Sequence, residues 1–118
     1  MSKDEILTER RGRVEIITLN RPDKRNAWTN SMMLSAWEAV RSAGQDHDVR
    51  VIVITGAGSA FSSGADVDEF KAAYEMSKKT GKHQSALDHR KLEEFAVEIR
   101  RVRKPIIAAI NGAAVGLG

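Results

Sequence analysis

The 118-residue chain contains no cysteine. That excludes disulfides and thiolate metal ligation and is compatible with a reducing compartment. It also lacks a dominant charge sign. Nineteen Lys and Arg stand against 16 Asp and Glu, a formal net charge of +3, and the basic residues form no long run, so nucleic acid is not an expected partner. The densest cluster, Arg100-Arg101-Val102-Arg103-Lys104, reads as a solvated helix end, where cations complement the negative end of the helix dipole. Membrane-length apolar runs are missing too. The uncharged stretch Pro105 to Gly118 is too short to cross a bilayer as a helix, and no membrane partner is expected. Met1 to Glu9 mixes charged with apolar residues and does not read as the core of a secretory signal. Cytoplasm or an organelle matrix is the expected location. There is no low-complexity tract, internal repeat or linker, and the length suits one domain at most.

What is present is an alternation of strand and helix patterns. Ile6–Arg10 and Val14–Leu19 read as two strands around a tight turn at Arg11-Gly12. In the second, Val14, Ile16 and Thr18 share one face and Glu15, Ile17 and Leu19 the other. Asn20-Arg21-Pro22-Asp23 breaks the pattern. A helix follows, capped by Thr29 or Asn30, with Met33, Trp37, Val40 and Gly44 as its expected buried stripe. Trp28 fits either a staple at the helix entry or a pocket wall. Val49–Thr55 is rich in β-branched residues and predicts a strand buried on both faces. A short helix is expected to begin across Asp66–Tyr74 with Asp66 as its cap, and Lys71–Ser85 reads as mobile polar surface. From about Leu87 to Arg103 a second amphipathic helix carries Leu92, Phe95, Ile99 and Val102 on one face, and Pro105 stops it. Ile106–Ile110 predicts another buried strand, Asn111-Gly112 a turn, and Ala113–Gly118 the approach to a further helix. Strands alternating with helices imply an α/β fold. His47, His83 and His89 read as surface residues on or near helix ends, with no metal-site spacing.

Two glycine-bearing loops each follow a strand: Thr55-Gly-Ala-Gly-Ser-Ala-Phe-Ser-Ser-Gly-Ala-Asp66 and Asn111-Gly-Ala-Ala-Val-Gly-Leu-Gly118. Glycine there lets the backbone approach a ligand and point N–H groups at it. Such groups can cradle a phosphate or stabilise an oxyanion, and composition does not choose between the two. A nicotinamide dinucleotide fingerprint needs G-x-G-x-x-G. Gly56 and Gly58 supply the first two positions, but the third is Phe61, a bulky ring where strand and helix must pack closely.

Three segments, in order, resemble the crotonase (enoyl-CoA hydratase/isomerase) superfamily. Leu19-Asn-Arg-Pro-Asp-Lys-Arg-Asn-Ala27 is similar to its L-N-R-P-x-x-x-N-A signature, and Thr55 to Val67 to its T-G-x-G-x-x-F-(S/A)-x-G-A-D-(V/I/L) segment. Lys104-Pro-Ile-Ile-Ala-Ala-Ile-Asn-Gly112 with Val115-Gly116 is similar to its K-P-x-I-A-A-(I/V)-N-G-x-A-x-G segment. The resemblance covers essentially the whole chain. It implies the N-terminal part of a single crotonase-like (ClpP/crotonase) domain, an incomplete spiral of ββα units. It also implies an acyl-CoA enzyme that hydrates or isomerises an enoyl-CoA, holding the thioester oxygen between the backbone N–H groups of Ala65 and Leu117. Arg25, Ala27, Ser63, Asp66, Val67 and Gly116 fall where the family lines the CoA and pantetheine path. Arg25 suits a CoA phosphate, or else a solvated loop cation.

Coenzyme A would enter as part of the substrate, so no separate cofactor and no metal is implied. Family members are usually trimers or trimer pairs, so the full-length parent is expected to be a homotrimer or hexamer. The family's acid/base carboxylates lie beyond Gly118, and the 118 residues alone are expected to be inactive. A non-catalytic CoA-binding or assembly-only relative is the alternative. Leu117 departs from the glycine of many hydratases, which narrows the pocket and points toward isomerases or other variants.

Overall fold

A computed structural model describes residues 4–82 and 88–118, without the His89 side chain. The expectations for His83 and the His89 side chain, and for the segment from there back to Ser85 and Leu87, lie outside the described residues.

Strands β1 (Ile6–Arg11) and β2 (Val14–Leu19) form an antiparallel hairpin, with Ile6 opposite Leu19 and Arg11 opposite Val14. Helix α1 (Asn30–Gln45) follows, and the Thr29 side chain accepts from the Met32 N–H as its cap. Next come β3 (Val51–Gly56), the short strand β4 (Ala60–Ser62), α2 (Val67–Thr80) and α3 (His89–Arg101). The chain closes with β5 (Ile106–Ala109) and the two-residue strand β6 (Ala113–Ala114).

Two sheets result. One has the order β1-β2-β3-β5, and the other joins β4 to β6. The long strand and the short strand of one unit, β3 and β4, lie parallel to β5 and β6 of the next. A strand–strand–helix unit is thereby stacked on its successor, which gives the crotonase-like α/β spiral.

Period-two alternation on β2 puts Ile17 and Leu19 against the helices, both fully buried. Ile17 joins Val40 and Ala43 of α1 with Val49 and Ile52 in one core cluster, and Leu19 joins Met32 and Phe61 in a second. The sheet-facing stripe of α1 is therefore Met32, Ala36, Val40 and Ala43. Of the expected stripe, Met33 and Val40 are buried, whereas Trp37 and Gly44 are half-buried and line a groove against α3, whose Leu92, Phe95, Ile99 and Val102 are likewise half-buried. The Arg41 guanidinium lies 5.4 Å from the centroid of the Trp37 ring, a cation–π contact.

Other expectations change. Strand β3 is not buried on both faces: only Ile52 is fully buried, because the described helices cover one side. Strand β5 is exposed rather than buried, with Ile107 52% and Ile110 61% accessible, since it forms the sheet edge among the described residues. Helix α2 extends to Thr80 rather than giving way to loose surface chain after Tyr74. Lys104 is not solvated. Its Nζ donates to the Ala43 carbonyl at 2.8 Å and to that of Asp46, placing a cation on carbonyls at the C-terminal end of α1 that also accept the Asp46 and Val49 N–H groups. Ala113–Gly118 holds β6 and a turn.

Gly56 ends β3 where the chain must pass the following strand closely. A Cβ there would lie 2.5 Å from the Ala60 carbonyl oxygen and 2.8 Å from that of Phe61. Gly56→Ala should cost about 1–3 kcal/mol through forced backbone movement. Urea unfolding reads this directly, and an unchanged midpoint would refute the close approach.

Candidate active site

The site is built on the loop between β2 and α1. Arg25 and Asn26 there both adopt left-handed backbone angles, φ 51° and 55°, a conformation asparagine tolerates better than most residues. Asn26 is fully buried, and both ends of its amide are hydrogen-bonded. Its Oδ1 accepts the Arg21 N–H at 2.8 Å, and its Nδ2 donates at 2.9 Å to the carbonyls of both Ala57 and Ala60. Asn111 approaches from the other glycine loop. It accepts the Gly56 N–H at 3.1 Å and donates to the Gly58 carbonyl at 3.1 Å and the Ala60 carbonyl at 3.2 Å. Ser62 Oγ adds a bond to the Asn26 carbonyl and accepts the Gly64 N–H. The glycine turn after β3 leads into strand β4, with Phe61 in the core. It does not open a helix, as a dinucleotide phosphate cradle would.

Beyond β4 the chain forms a parallel bridge between Ala65 and Trp28. The Trp28 N–H donates to the Gly64 carbonyl at 2.7 Å and the Asp66 N–H to the Trp28 carbonyl at 3.0 Å. In such a bridge the middle residue's own N–H turns away from its partner strand. Among the described residues the Ala65 N–H has no acceptor. The second loop makes a turn closed by the Gly118 N–H on the Val115 carbonyl at 2.8 Å. Leu117 sits inside that turn, and its N–H likewise has no acceptor among the described residues.

The two turns meet at Gly64, whose φ is +96°. A Cβ there would lie 2.8 Å from the Val115 carbonyl oxygen and 3.6 Å from the Leu117 nitrogen. Glycine thus lets the two unpartnered N–H groups sit on adjoining segments. Beside them is an apolar cavity of about 70 Å³ lined by Trp28, Met33, Leu92, Phe95 and Leu117. Trp28 is therefore a pocket wall.

Arg21 braces this region. One guanidinium nitrogen, Nη1, donates to the Ala27 carbonyl at 2.6 Å and to Asp66 Oδ2 at 2.9 Å. Asp66 Oδ1 accepts the N–H groups of Asp68 and Glu69, capping α2 as expected. Burial pushes the Asp66 carboxyl up. The Glu69 N–H, the Arg21 guanidinium and the Asp68 N–H together outweigh it and hold the group below its ordinary value.

The remaining expected residues gather on the same loops. Ala27 is buried, and Ser63 is exposed with its N–H on the Arg25 carbonyl at 3.0 Å. The Arg25 side chain is exposed and makes no ion pair among the described residues. Val67 opens α2 with 65% of its surface accessible, and Gly116 forms the turn before Leu117. His47 is exposed. Among the described residues no group of three or more His, Cys, Asp or Glu could hold a metal, and no helix is long and apolar enough to cross a membrane.

Sequence reasoning did not assign roles to Arg21, Asn26 and Asn111. The available signal was an Asn placed before a buried Ala in one motif and before Gly in the other. Both are positions where an amide can replace missing backbone partners.

Comparison with known proteins places this architecture. The enoyl-CoA hydratase/isomerase family model matches residues 9–118. A Mycobacterium leprae protein named a probable enoyl-CoA hydratase is 39% identical over 92% of this chain. A Dictyostelium discoideum protein named a probable mitochondrial enoyl-CoA hydratase is 40% identical over 94% of it. The crystal structure of an enoyl-CoA hydratase/isomerase from Mycobacterium paratuberculosis superposes with a TM-score of 0.75 at 37% identity, covering 97% of this chain and 44% of that one. The chain belongs to the enoyl-CoA hydratase/isomerase family. It spans 37% of the length of each of the two curated relatives.

Because its folded-state pKa is depressed, Asp66 contributes stability above the ordinary carboxylate value of about 3.9. That contribution is lost as pH falls through the lower folded value. Asp66→Asn should therefore flatten the stability–pH profile below about pH 4 relative to the parent. Part of the slope should persist from Asp46, which the Asp48 N–H and Arg10 also hold low. Denaturant midpoints across that range test it, and parallel profiles for the two proteins would contradict the assignment.

Proposed function

We propose that the chain supplies the oxyanion-stabilising part of an acyl-CoA enzyme that hydrates or isomerises an enoyl-CoA. The observation carrying this reading is the pair of unpartnered backbone N–H groups, at Ala65 and Leu117, on adjoining turns beside an apolar cavity. An enolate-like intermediate builds negative charge on the thioester oxygen, and fixed N–H donors aimed at that charge lower the barrier without reorganising during reaction. Neither donor is bonded to another of the described residues.

The CoA moiety would run past Arg25, Ala27, Ser63, Asp66, Val67 and Gly116. The exposed Arg25 guanidinium, without an ion-pair partner among the described residues, suits a phosphate. Asp66 would act there by shaping the backbone, because both its oxygens are engaged by the protein. Leu117 gives one donor and one cavity wall, so its side chain trims the acyl space without removing the N–H. That favours isomerase-type or other variant chemistry over simple hydration. Coenzyme A enters as substrate, with no further cofactor. The acid/base carboxylates would belong to sequence beyond Gly118, and the complete enzyme would be a homotrimer or hexamer in the cytoplasm or an organelle matrix. The mitochondrial name of the Dictyostelium relative is compatible with the latter.

Three outcomes follow. Acetyl-CoA should perturb the fluorescence of Trp28, and NADH should not; the reverse result would favour a dinucleotide site. The 118 residues alone should bind but not convert crotonyl-CoA, so turnover by the purified chain would overturn the division of labour. In the longer enzyme, Ala65→Pro deletes one donor and no internal hydrogen bond. It should lower kcat by about 10²–10³-fold, and an unchanged kcat in the folded variant would remove Ala65 from the site.

A further inference from the structure

The Ala65 N–H is useful only if its direction is fixed, and the bonds around it show how. Gly64 and Asp66, on either side, are both bonded to the Trp28 backbone. The Trp28 strand is itself held one residue earlier, where the Ala27 carbonyl accepts from Arg21 Nη1 at 2.6 Å. That same nitrogen bonds Asp66 Oδ2 at 2.9 Å. One planar group therefore ties together the two segments whose bridge orients residue 65.

Arg21 is well placed to be rigid. Its side chain is 17% exposed and its Asp66 partner 5%. Its backbone is locked to Asn26, whose side chain accepts the Arg21 N–H and whose own N–H bonds the Arg21 carbonyl. On the outer side its Nε lies 3.9 Å from Glu5 Oε1. Glu5 in turn accepts from the Thr29 and Ser31 hydroxyls at the start of α1. Arg21 does not line the cavity, and its side-chain hydrogen bonds go to Ala27 and Asp66 rather than to Ala65 or Leu117.

We propose that Arg21 is a positioning residue for the oxyanion donor. By bridging the Ala27 carbonyl and the Asp66 carboxylate, it fixes the angle at which the Ala65 N–H meets a thioester oxygen. This rests on the oxyanion reading given above. A lysine keeps the charge but ends in a tetrahedral ammonium one atom short of Nη1, so it cannot hold both acceptors in the same plane. Methionine keeps the apolar stem and loses every donor.

The test is the carbonyl stretching frequency of acetyl-CoA carrying ¹³C at the thioester carbon, bound at saturation to the 118-residue chain. Saturation removes any change in affinity from the readout. A polarising N–H lowers the frequency, so the parent should show a clear downshift relative to free ligand. Arg21→Met should lose most of that downshift and Arg21→Lys part of it, while both bind within about threefold of the parent, because no contact to the ligand is removed. Asp66→Asn retains an oxygen for the α2 cap and breaks the charged bridge. It should lose downshift as well, and it decides the question if Arg21→Met does not fold. A full downshift in folded Asp66→Asn or Arg21→Met would overturn the positioning role while leaving the oxyanion site standing. Absence of any downshift in the parent would instead overturn the oxyanion site, and this inference with it.

Discussion

The Ala60 carbonyl oxygen has room for two donors, and both arrive from far away in sequence. Asn26 reaches it from the loop before α1, and Asn111 from the turn after β5. Around this one acceptor the three motif-bearing segments of the chain converge. Gly56 passes too close to that oxygen for any side chain, and Ala60 itself pairs with Ala113 to start the small sheet. The placement of the later residues follows from there. The Val115 N–H continues the pairing on the Ser62 carbonyl, Gly64 lies against the Val115–Leu117 turn, and Ala65 is turned outward by its bridge to Trp28. An asparagine amide suits such a junction because it carries acceptor and donor on one short arm. Each amide here accepts one backbone N–H while donating to two carbonyls.

A second level of order comes from charge. The Arg21–Asp66 pair is nearly removed from solvent, and such pairs repay their desolvation only when the remaining hydrogen-bonding capacity is also used. Here both partners have further bonds: Asp66 caps α2 with its other oxygen, and Arg21 Nη1 also holds the Ala27 carbonyl. The pair is best understood as a device for specifying geometry. It couples the start of α2 to the loop before α1, so a helix with none of its own residues buried still has a defined origin.

Much of this was legible in the sequence wherever the signal was local. The β1–β2 hairpin, the inward face of β2, the Thr29 and Asp66 caps and the three motif segments follow from periodicity, turn chemistry or resemblance. What escaped depends on tertiary context. Strands β4 and β6 span only three and two residues, too few for alternation to register. Trp37 has helical spacing for burial but faces α3 rather than the sheet. Strand β5 has the composition of an interior strand and lies at an edge. Lys104 looked like one more cation in a basic cluster, and only the fold shows it beneath the end of α1. The candidate site residues were identifiable one by one from the motifs. The asparagines and the arginine that hold them were not, because each has partners tens of residues away, as Arg21 does in Asp66 and Asn26 in Ala57 and Ala60.

The stacked strand–strand–helix arrangement has a kinetic side. Each unit leans chiefly on the unit before it, as in repeat proteins whose stability is a sum of nearest-neighbour terms. Backbone amides should then open in a graded order rather than all at once. The β2–β3 pair, flanked on both sides, would be the last to exchange with solvent, and the β5 edge and the outward-lying α2 among the first. The candidate site straddles that gradient, with Ala65 anchored to the loop between β2 and α1 and Leu117 in a turn beyond β6. Its two halves would therefore open with different free energies.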